Sequence, residues 1–190
     1  ALAAVVATAA AQADVRELPP GEYGLDDTHA YITFSYSHLG FSNPHVGFNR
    51  FDAALNLNPD DLTQSGLEVT IDAASIDSRV AEFDEHLNGG DYFDTAAFPE
   101  IRFESTRVSG DAETGLKVTG DLTIKDTTRP VTLDVTLNKA GNNPISKAPT
   151  LGFSARGSLK RSEFGLGAYA PAVSDEVDII IEAEFVQPPS

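Results

Sequence analysis

The chain has 190 residues, 41% of them apolar, which is enough for one domain with a substantial core. Its formal net charge of -16 and its pI near 4.4 argue against nucleic acid and anionic membrane surfaces as partners, since both require clustered Lys and Arg. It has no cysteine, which excludes disulfides, thiolate metal sites and cysteine nucleophiles.

The chain begins with a short apolar segment, ALAAVVATAAAQA, which ends in Ala11-Gln12-Ala13, a pattern typical of signal peptidase sites. The segment is too short to span a bilayer as a helix. We interpret residues 1–13 as a signal peptide remnant and residues 14–190 as a single domain, periplasmic or secreted, with no stable membrane anchor. An Ala-rich helix at a cytoplasmic N-terminus is the alternative.

The next part of the chain alternates apolar and polar residues, which is typical of half-buried β-strands. The pattern predicts strands over residues 30–38, 51–57 and 67–73, preceded by an extended segment over residues 18–21. Phe48 is out of phase with the second strand, which predicts a bulge at Asn49 and Arg50.

The alternation stops after the third predicted strand. Val80, Phe83 and Leu87 recur at three- and four-residue spacing, which predicts a short amphipathic helix. Asp77 or Ser78 is the expected N-cap, and a Gly-Gly pair at residues 89–90 ends the helix.

Tyr92, Phe93 and Phe98 follow the helix with no regular period, as expected for a loop packed over an apolar opening. We interpret the helix and this loop together as a lid whose aromatic side chains contact a ligand. A plug that only fills space is the alternative.

Alternation then resumes in five further predicted strands, at residues 101–103, 116–125, 131–137, 151–159 and 177–185. Gly120 in mid-strand predicts a bend or a close approach. Short turns and the lack of long helices predict an all-β fold, an eight-stranded antiparallel β-barrel with a short helix inserted between strands 3 and 4. An open sandwich is the alternative. The inward residues are almost wholly apolar, so the barrel holds either a solid core or an apolar pocket.

The titratable residues do not form a known catalytic or metal-binding pattern. The histidines are His29, His38, His45 and His86, and their spacings match no metal motif. The acids near the helix are Asp84, Glu85, Asp91 and Asp94, and they lack the ligand spacing of a calcium loop. We predict no catalytic residue and no metal ligand, and interpret these side chains as hydrogen-bonding, capping or solvated groups.

Basic residues are concentrated between residues 125 and 161. Lys125, Arg129, Lys160 and Arg161 lie near predicted strand ends, where they could gather at one rim of the barrel. We interpret them as outward-facing residues that favour solubility. A rim that neutralises a diphosphate head group is the alternative.

A series of short motifs runs in order along residues 23–185. They are Asp27-Thr28-His29-Ala30 with Ile32-x-Phe34, Val46-Gly47-Phe48 with Phe51, Ser75-Ile76-Asp77, Asp84-x-His86-Leu87, Asp91-Tyr92-Phe93-Asp94, Phe98-Pro99 with Phe103, Gly120-x-Leu122-Thr123-Ile124, Pro130-Val131, Arg161-x-x-Phe164-Gly165 and Asp175-Glu176-Val177. In this order they resemble the YceI-like family of periplasmic, lipocalin-like, polyisoprenoid-binding proteins. Ala30, Tyr92 and Lys125-Asp126 depart from the usual family residues without affecting the expected fold.

The resemblance implies an extended, eight-stranded, lipocalin-like barrel that holds one long-chain isoprenoid lipid, of the polyprenyl quinone or polyprenyl phosphate type, or a similar fatty amphiphile. It implies a carrier or store and not an enzyme, with no cofactor besides the bound lipid or quinone. We favour a neutral or weakly polar head group, and homodimer formation is left open. A stress or interaction protein with a filled core, and a small enzyme acting on a hydrophobic substrate, are the alternatives.

Ligand contacts are predicted for inward-facing residues and for residues at the mouth of the barrel. These residues are Ile32, Phe34, Tyr36, His38, Phe51, Val69, Ile71, Phe83, Leu87, Tyr92, Phe93, Phe98, Phe103, Val118, Leu122, Leu133, Phe153, Phe164 and Ile179.

Overall fold

The structure, a computed structural model, describes residues 14–187, so the predicted signal peptide remnant lies outside the described residues. The described chain forms eleven strand segments and one α-helix. The segments are β1 (Gly21–Leu25), β2 (Tyr31–Ser35), β3 (His45–Phe48), β4 (Phe51–Leu57), β5 (Gly66–Asp72), β6 (Ile76–Asp77), β7 (Glu100–Asp111), β8 (Gly115–Ile124), β9 (Thr127–Asn142), β10 (Pro149–Lys160) and β11 (Glu176–Val186), with helix α1 (Ala81–Asn88) between β6 and β7.

The segments close into an antiparallel barrel. Neighbours pair in the order β1-β4-β5-β7-β8-β9-β10-β11, and β11 closes the ring by pairing with β1, where Leu25 lies opposite Phe185. β11 also pairs with β2, which continues the line of β1, and β2 pairs with β3, which continues the line of β4. β6 continues β5 in the same way and pairs with β3. Three of the eight barrel strands are therefore interrupted, and the predicted eight-stranded barrel is confirmed.

Local hydrogen bonds hold these interruptions. Asn49 and Arg50 separate β3 from β4, and both backbone N–H groups donate to Ser75, one to its carbonyl and one to its hydroxyl, each at 3.0 Å. Ser75 belongs to the 3-10 turn Ala73–Ser75 between β5 and β6, and its hydroxyl donates to the Asp72 carbonyl at 2.7 Å. The strand is irregular where the sequence predicts a bulge, but the irregularity is a break between two strand segments, and it is matched by a turn in the neighbouring strand.

The segments β1, β3 and β6 are not among the predicted strands. β1 has only two apolar residues and β3 only four residues in all, so neither shows a period. The first predicted strand was also too long, since β2 ends at Ser35. The chain leaves the sheet there because Ser37 exchanges hydrogen bonds with Ser174, which draws it toward the loop before β11.

Helix α1 lies between the third and fourth barrel strands, as predicted, but its predicted cap is wrong. Val80 is the N-cap and makes no side-chain capping bond. Asp77 instead accepts from the Arg79 backbone N–H, and Asp84 in the first turn accepts from the Ser78 N–H, each at 2.7 Å. These acids therefore fix the turn before the helix and leave the Val80 side chain exposed.

Gly120 lies in mid β8, where the Phe103 ring of β7 packs across the sheet. A Cβ atom on Gly120 would lie 2.4 Å from Phe103 Cζ and 2.5 Å from the Glu104 carbonyl oxygen. The prediction of a close approach at Gly120 is confirmed.

We expect Gly120→Ala to lower the free energy of unfolding by about 1–3 kcal/mol, as is usual when a well-packed interior is overfilled. Urea denaturation measures this change. Gly24→Ala is the matched control, since no heavy atom lies within 4 Å of a Cβ built there. Equal stability losses in the two variants would contradict this account of Gly120.

Candidate ligand-binding site

A large apolar cavity lies inside the barrel. Its volume is about 690 Å³, within the range of about 300–1,000 Å³ that small-molecule sites occupy. All eight barrel strands contribute side chains to its wall. Inward residues such as Val69, Phe153 and Ile179 are only half-buried, because they face the cavity instead of packing against one another. The sequence is compatible with a solid core or with an apolar pocket, and the structure has the pocket.

Every predicted contact residue except Phe98 and Phe164 lies on the cavity wall. The wall residues among them are Ile32, Phe34, Tyr36, His38, Phe51, Val69, Ile71, Phe83, Leu87, Tyr92, Phe93, Phe103, Val118, Leu122, Leu133, Phe153 and Ile179. Their contact with a ligand stays a prediction.

Phe98 and Phe164 are placed elsewhere. The Phe98 ring lies under the Lys125 ammonium, 5.9 Å from nitrogen to ring centroid, on the outer side of the loop. Phe164 is fully buried among other side chains, in the turn that follows β10. Phe98 and Phe164 therefore do not line the cavity, although Phe103 and Arg161 of the same motifs do.

The two ends of the barrel differ. The end that carries α1, here called the helix end, also carries the loops at residues 36–44 and 161–175. At the opposite end, the side chains of Tyr23, Ala140 and Leu151 are fully buried in one cluster. These three residues do not line the cavity. The cavity wall also reaches this end, at Leu57, Leu62 and Ser65, but its exposed residues, such as Leu39 and Tyr169, lie at the helix end, where the cavity opens.

Polar side chains on the wall are concentrated at the helix end. They are Tyr36, His38, His86, Tyr92, Arg161 and Tyr169. The remainder of the wall is almost wholly aliphatic and aromatic, apart from Thr33 and Ser65. An amphiphile bound here would meet most of the hydrogen-bonding side chains at the helix end.

Arg161 lies on the cavity wall, although the sequence predicts that it faces outward. The residue is only 8% exposed. Its Nε donates to the Ser174 carbonyl at 2.8 Å and its Nη2 to the Val173 carbonyl at 2.9 Å. Its Nη1 donates to the carbonyls of Ala168, at 2.8 Å, and Leu166. The guanidinium therefore braces the 161–175 loop and keeps its positive charge beside the cavity.

Tyr36 and Tyr92 present hydroxyl groups near this charge. Burial raises the pKa of both, and the Arg161 charge opposes that rise. Both hydroxyls are therefore protonated at neutral pH, and neither donates to another described residue. The His86 ring packs edge-on to Tyr92 with 4.9 Å between ring centroids. The helix end thus offers two hydroxyl donors and one cation.

Asp26, His29 and Glu184 form a group, on the outside of the barrel, that sequence spacing missed because Glu184 comes from β11. Their candidate ligand atoms lie within 4.8 Å of one another. Asp26 accepts from the Thr28 backbone N–H and hydroxyl and lies 3.0 Å from His29 Nδ1, contacts that lower the pKa of Asp26 and raise that of His29. These bonds fix the turn between β1 and β2 and account for the group without an ion. The absence of a metal ligand stays a prediction.

Known proteins are similar to this chain in sequence and in fold. The sequence profile of the YceI-like domain matches residues 23–185. Protein YceI of Escherichia coli O17:K52:H18 is 36% identical over 159 residues, which is 84% of this chain and 82% of that protein. Among the described residues, no helix has the length and hydropathy needed to cross a bilayer.

Two solved structures share the fold. BcnA of Burkholderia cenocepacia is 26% identical, with a TM-score of 0.76, over 84% of this chain and 98% of that one. A polyisoprenoid binding domain from Saccharophagus degradans, implicated in plant cell wall breakdown, has a TM-score of 0.60 over 87% of this chain and 98% of that one. Its identity to this chain is 14%, so this second likeness shows the fold alone.

We expect Arg161→Met to lower the free energy of unfolding of the ligand-free protein by about 2–4 kcal/mol, because carbonyls in the 161–175 loop lose their donors. Arg161→Lys should recover only part of this loss, since an ammonium group cannot reproduce the planar guanidinium fork. Thermal unfolding measures both.

Lys160→Met is the control, because Lys160 precedes Arg161 in the chain and is exposed. We expect it to leave stability nearly unchanged. A loss equal to that of Arg161→Met would rule out the bracing role.

Proposed function

This chain belongs to the family of YceI-like domains, and we propose that it binds and carries a long-chain isoprenoid lipid with the tail inside the barrel. The observation that carries the proposal is the apolar cavity of about 690 Å³, which runs along the barrel and opens at the helix end. A filled barrel would have favoured the interaction protein with a solid core.

The wall chemistry favours a hydrocarbon tail. Each CH₂ group moved from water into an apolar site contributes about 0.8 kcal/mol, so a tail needs no hydrogen bonds to bind well. The middle of the barrel offers side chains such as Val118, Leu133 and Ile181 and almost no polar group. Affinity should therefore rise with tail length until the cavity is full.

The head group belongs at the helix end in this proposal. Tyr36 and Tyr92 can each donate one hydrogen bond, and Arg161 has four of its five N–H groups committed to backbone carbonyls. That leaves one charge-assisted donor, which suits a single carbonyl or ether oxygen better than a diphosphate.

The charge of the surrounding residues also favours an uncharged head group. Residues 78–99, which include α1, carry five acids and one arginine. The other chain segments at this end add the bases Lys125, Arg129, Lys160 and Arg161 and the acids Asp126, Glu163 and Asp175, so acids remain in excess. A diphosphate head group would bring two or more negative charges to this acidic surface, whereas a quinone brings none. We therefore propose a neutral or weakly polar head group, as in a polyprenyl quinone.

We further propose that the protein is a carrier and not an enzyme, and that it acts in the periplasm or outside the cell. A hydrophobic substrate turned over by a small enzyme remains the alternative. Incubation with a polyprenyl quinone followed by mass analysis distinguishes them, since a carrier returns the compound unchanged. Cell fractionation tests the location.

We expect Ala155→Trp to weaken binding of a polyprenyl quinone at least about tenfold, because Ala155 lies on the cavity wall and a Trp side chain would occupy tail volume. Native mass spectrometry of delipidated protein measures the affinity. Ser158→Trp is the control, since Ser158 lies on the same strand and is exposed. Equal affinities for the two variants would contradict a tail inside the barrel.

A matched pair of ligands tests the head group. A polyprenyl quinone should bind at least about tenfold more tightly than a polyprenyl diphosphate of the same tail length, because only the diphosphate meets repulsion from the acidic helix end. Competition in native mass spectrometry measures the ratio. An exclusive preference for the diphosphate would overturn the proposed head group while leaving lipid binding in place.

A further inference from the structure

Exposed apolar side chains are concentrated at the helix end. Among the described residues, the large hydrophobic side chains with high exposure are Tyr31, Leu39, Phe41, Val80, Ile145 and Tyr169. Leu39, Phe41 and Val80 lie on loops at the helix end, as does Tyr169, whereas Ile145 lies in the β9–β10 loop at the opposite end. We use the name lip for Leu39, Phe41 and Tyr169, which come from the 36–44 and 161–175 loops.

The lip continues the apolar wall of the cavity onto the surface. Leu39 is 52% exposed and Tyr169 is 67% exposed, yet both also line the cavity. Phe41 is 89% exposed and lies two residues from Leu39. The side chains of Leu39 and Phe41 therefore extend the apolar wall to the surface, beside the polar residues of the helix end.

The lip is held in place by hydrogen bonds. The His38 N–H donates to the Ser42 carbonyl at 2.8 Å, and the Phe41 N–H donates to the His38 carbonyl at 2.9 Å, which closes a tight turn. The Leu39 N–H donates to the Ala172 carbonyl at 3.1 Å and joins this turn to the opposite loop. The exposure of Phe41 therefore belongs to an ordered turn and is not the result of a frayed end.

The backbone at the lip is also strained. The backbone of Leu39 and of Tyr169 is left-handed, with φ angles of 54° and 61°. Residues other than glycine adopt this conformation at a cost in energy. Among the exposed large hydrophobic residues that the structure describes, Leu39 and Tyr169 are the two that lie on the cavity wall. The fold thus accepts unfavourable backbone geometry on both sides of the mouth while turning apolar side chains outward.

We propose that the lip docks onto the surface of an uncharged lipid bilayer, so that the isoprenoid lipid passes between membrane and barrel without crossing water. This inference rests on the proposed function and adds the route by which the cavity is filled. Aromatic and aliphatic side chains of this kind favour the membrane–water interface. A lip of three side chains supports brief contact, in keeping with a carrier that must leave the membrane again.

The charge near the lip selects the type of bilayer. The 36–44 loop has no acidic or basic residue apart from His38. The 161–175 loop has Arg161, whose guanidinium is bound to backbone carbonyls, against the acids Glu163 and Asp175. The neighbouring 78–99 segment has five acids against one arginine. An anionic bilayer would repel this end of the protein, whereas a phosphatidylcholine surface would not.

Vesicle transfer tests the proposal. Phosphatidylcholine vesicles that contain a polyprenyl quinone are mixed with delipidated protein, and the quinone carried by the protein is followed in time. We expect Phe41→Ser to slow transfer about tenfold or more, while its equilibrium affinity for a short-tailed, water-soluble prenyl quinone stays within about twofold of the parent. Ile145→Ser is the matched control, since Ile145 is equally exposed at the opposite end, and it should transfer at the parent rate.

The outcomes separate the two proposals. If the parent protein binds no prenyl quinone, the proposed function fails. If binding is intact but Phe41→Ser and Ile145→Ser transfer at the same rate, the lip is not the docking surface. Faster transfer from vesicles with added phosphatidylglycerol would overturn the choice of an uncharged bilayer. A dimer in gel filtration that Phe41→Ser converts to a monomer would overturn the proposal in favour of a second copy of the chain.

Discussion

Closure of the sheet is the constraint on which the rest of the structure depends. β11 pairs with β10 along its whole length and, on its other side, with both β1 and β2. A closed ring has no free edge, and eight strands set an interior just wide enough for packed side chains or one small ligand. Small residues such as Ala53, Ala155 and Ala183 lie on the wall of the cavity that the ring encloses.

The interrupted strands connect two packed clusters. β1 and β4 contribute Tyr23 and Leu55 to the cluster at the far end, whereas β3 and β6 contribute Val46 and Ile76 to the cluster at the helix end. The breaks between them fall at the Asp26–His29 turn, at Asn49 and Arg50, and in the turn that ends at Ser75. Polar bonds at the breaks thus hold the two clusters in line along one cavity, whose wall takes residues from both.

Sequence patterning predicts most of this fold because alternation reports directly which side chains face inward. It places Phe34, Val69 and Ile179 on the inner face, which is where they lie. It fails for β3, because a strand of four residues is too short to show a period. It also fails for Arg161, whose side chain is buried because backbone carbonyls later in the 161–175 loop fold around it. It also cannot reveal a cavity, since a filled barrel and a hollow one require the same inward residues.

An apolar cavity makes the empty barrel the less stable state. Its wall residues lack partners on one side and forfeit the packing that a filled core would have. A tail that enters supplies those contacts, and a ligand present at a hundred times its dissociation constant stabilises the folded state by about 2.7 kcal/mol. Water cannot replace the tail, since the wall offers it few hydrogen bonds. Release into water is therefore opposed twice, by loss of packing in the protein and by exposure of the tail, and it becomes favourable only where another apolar phase takes the tail up.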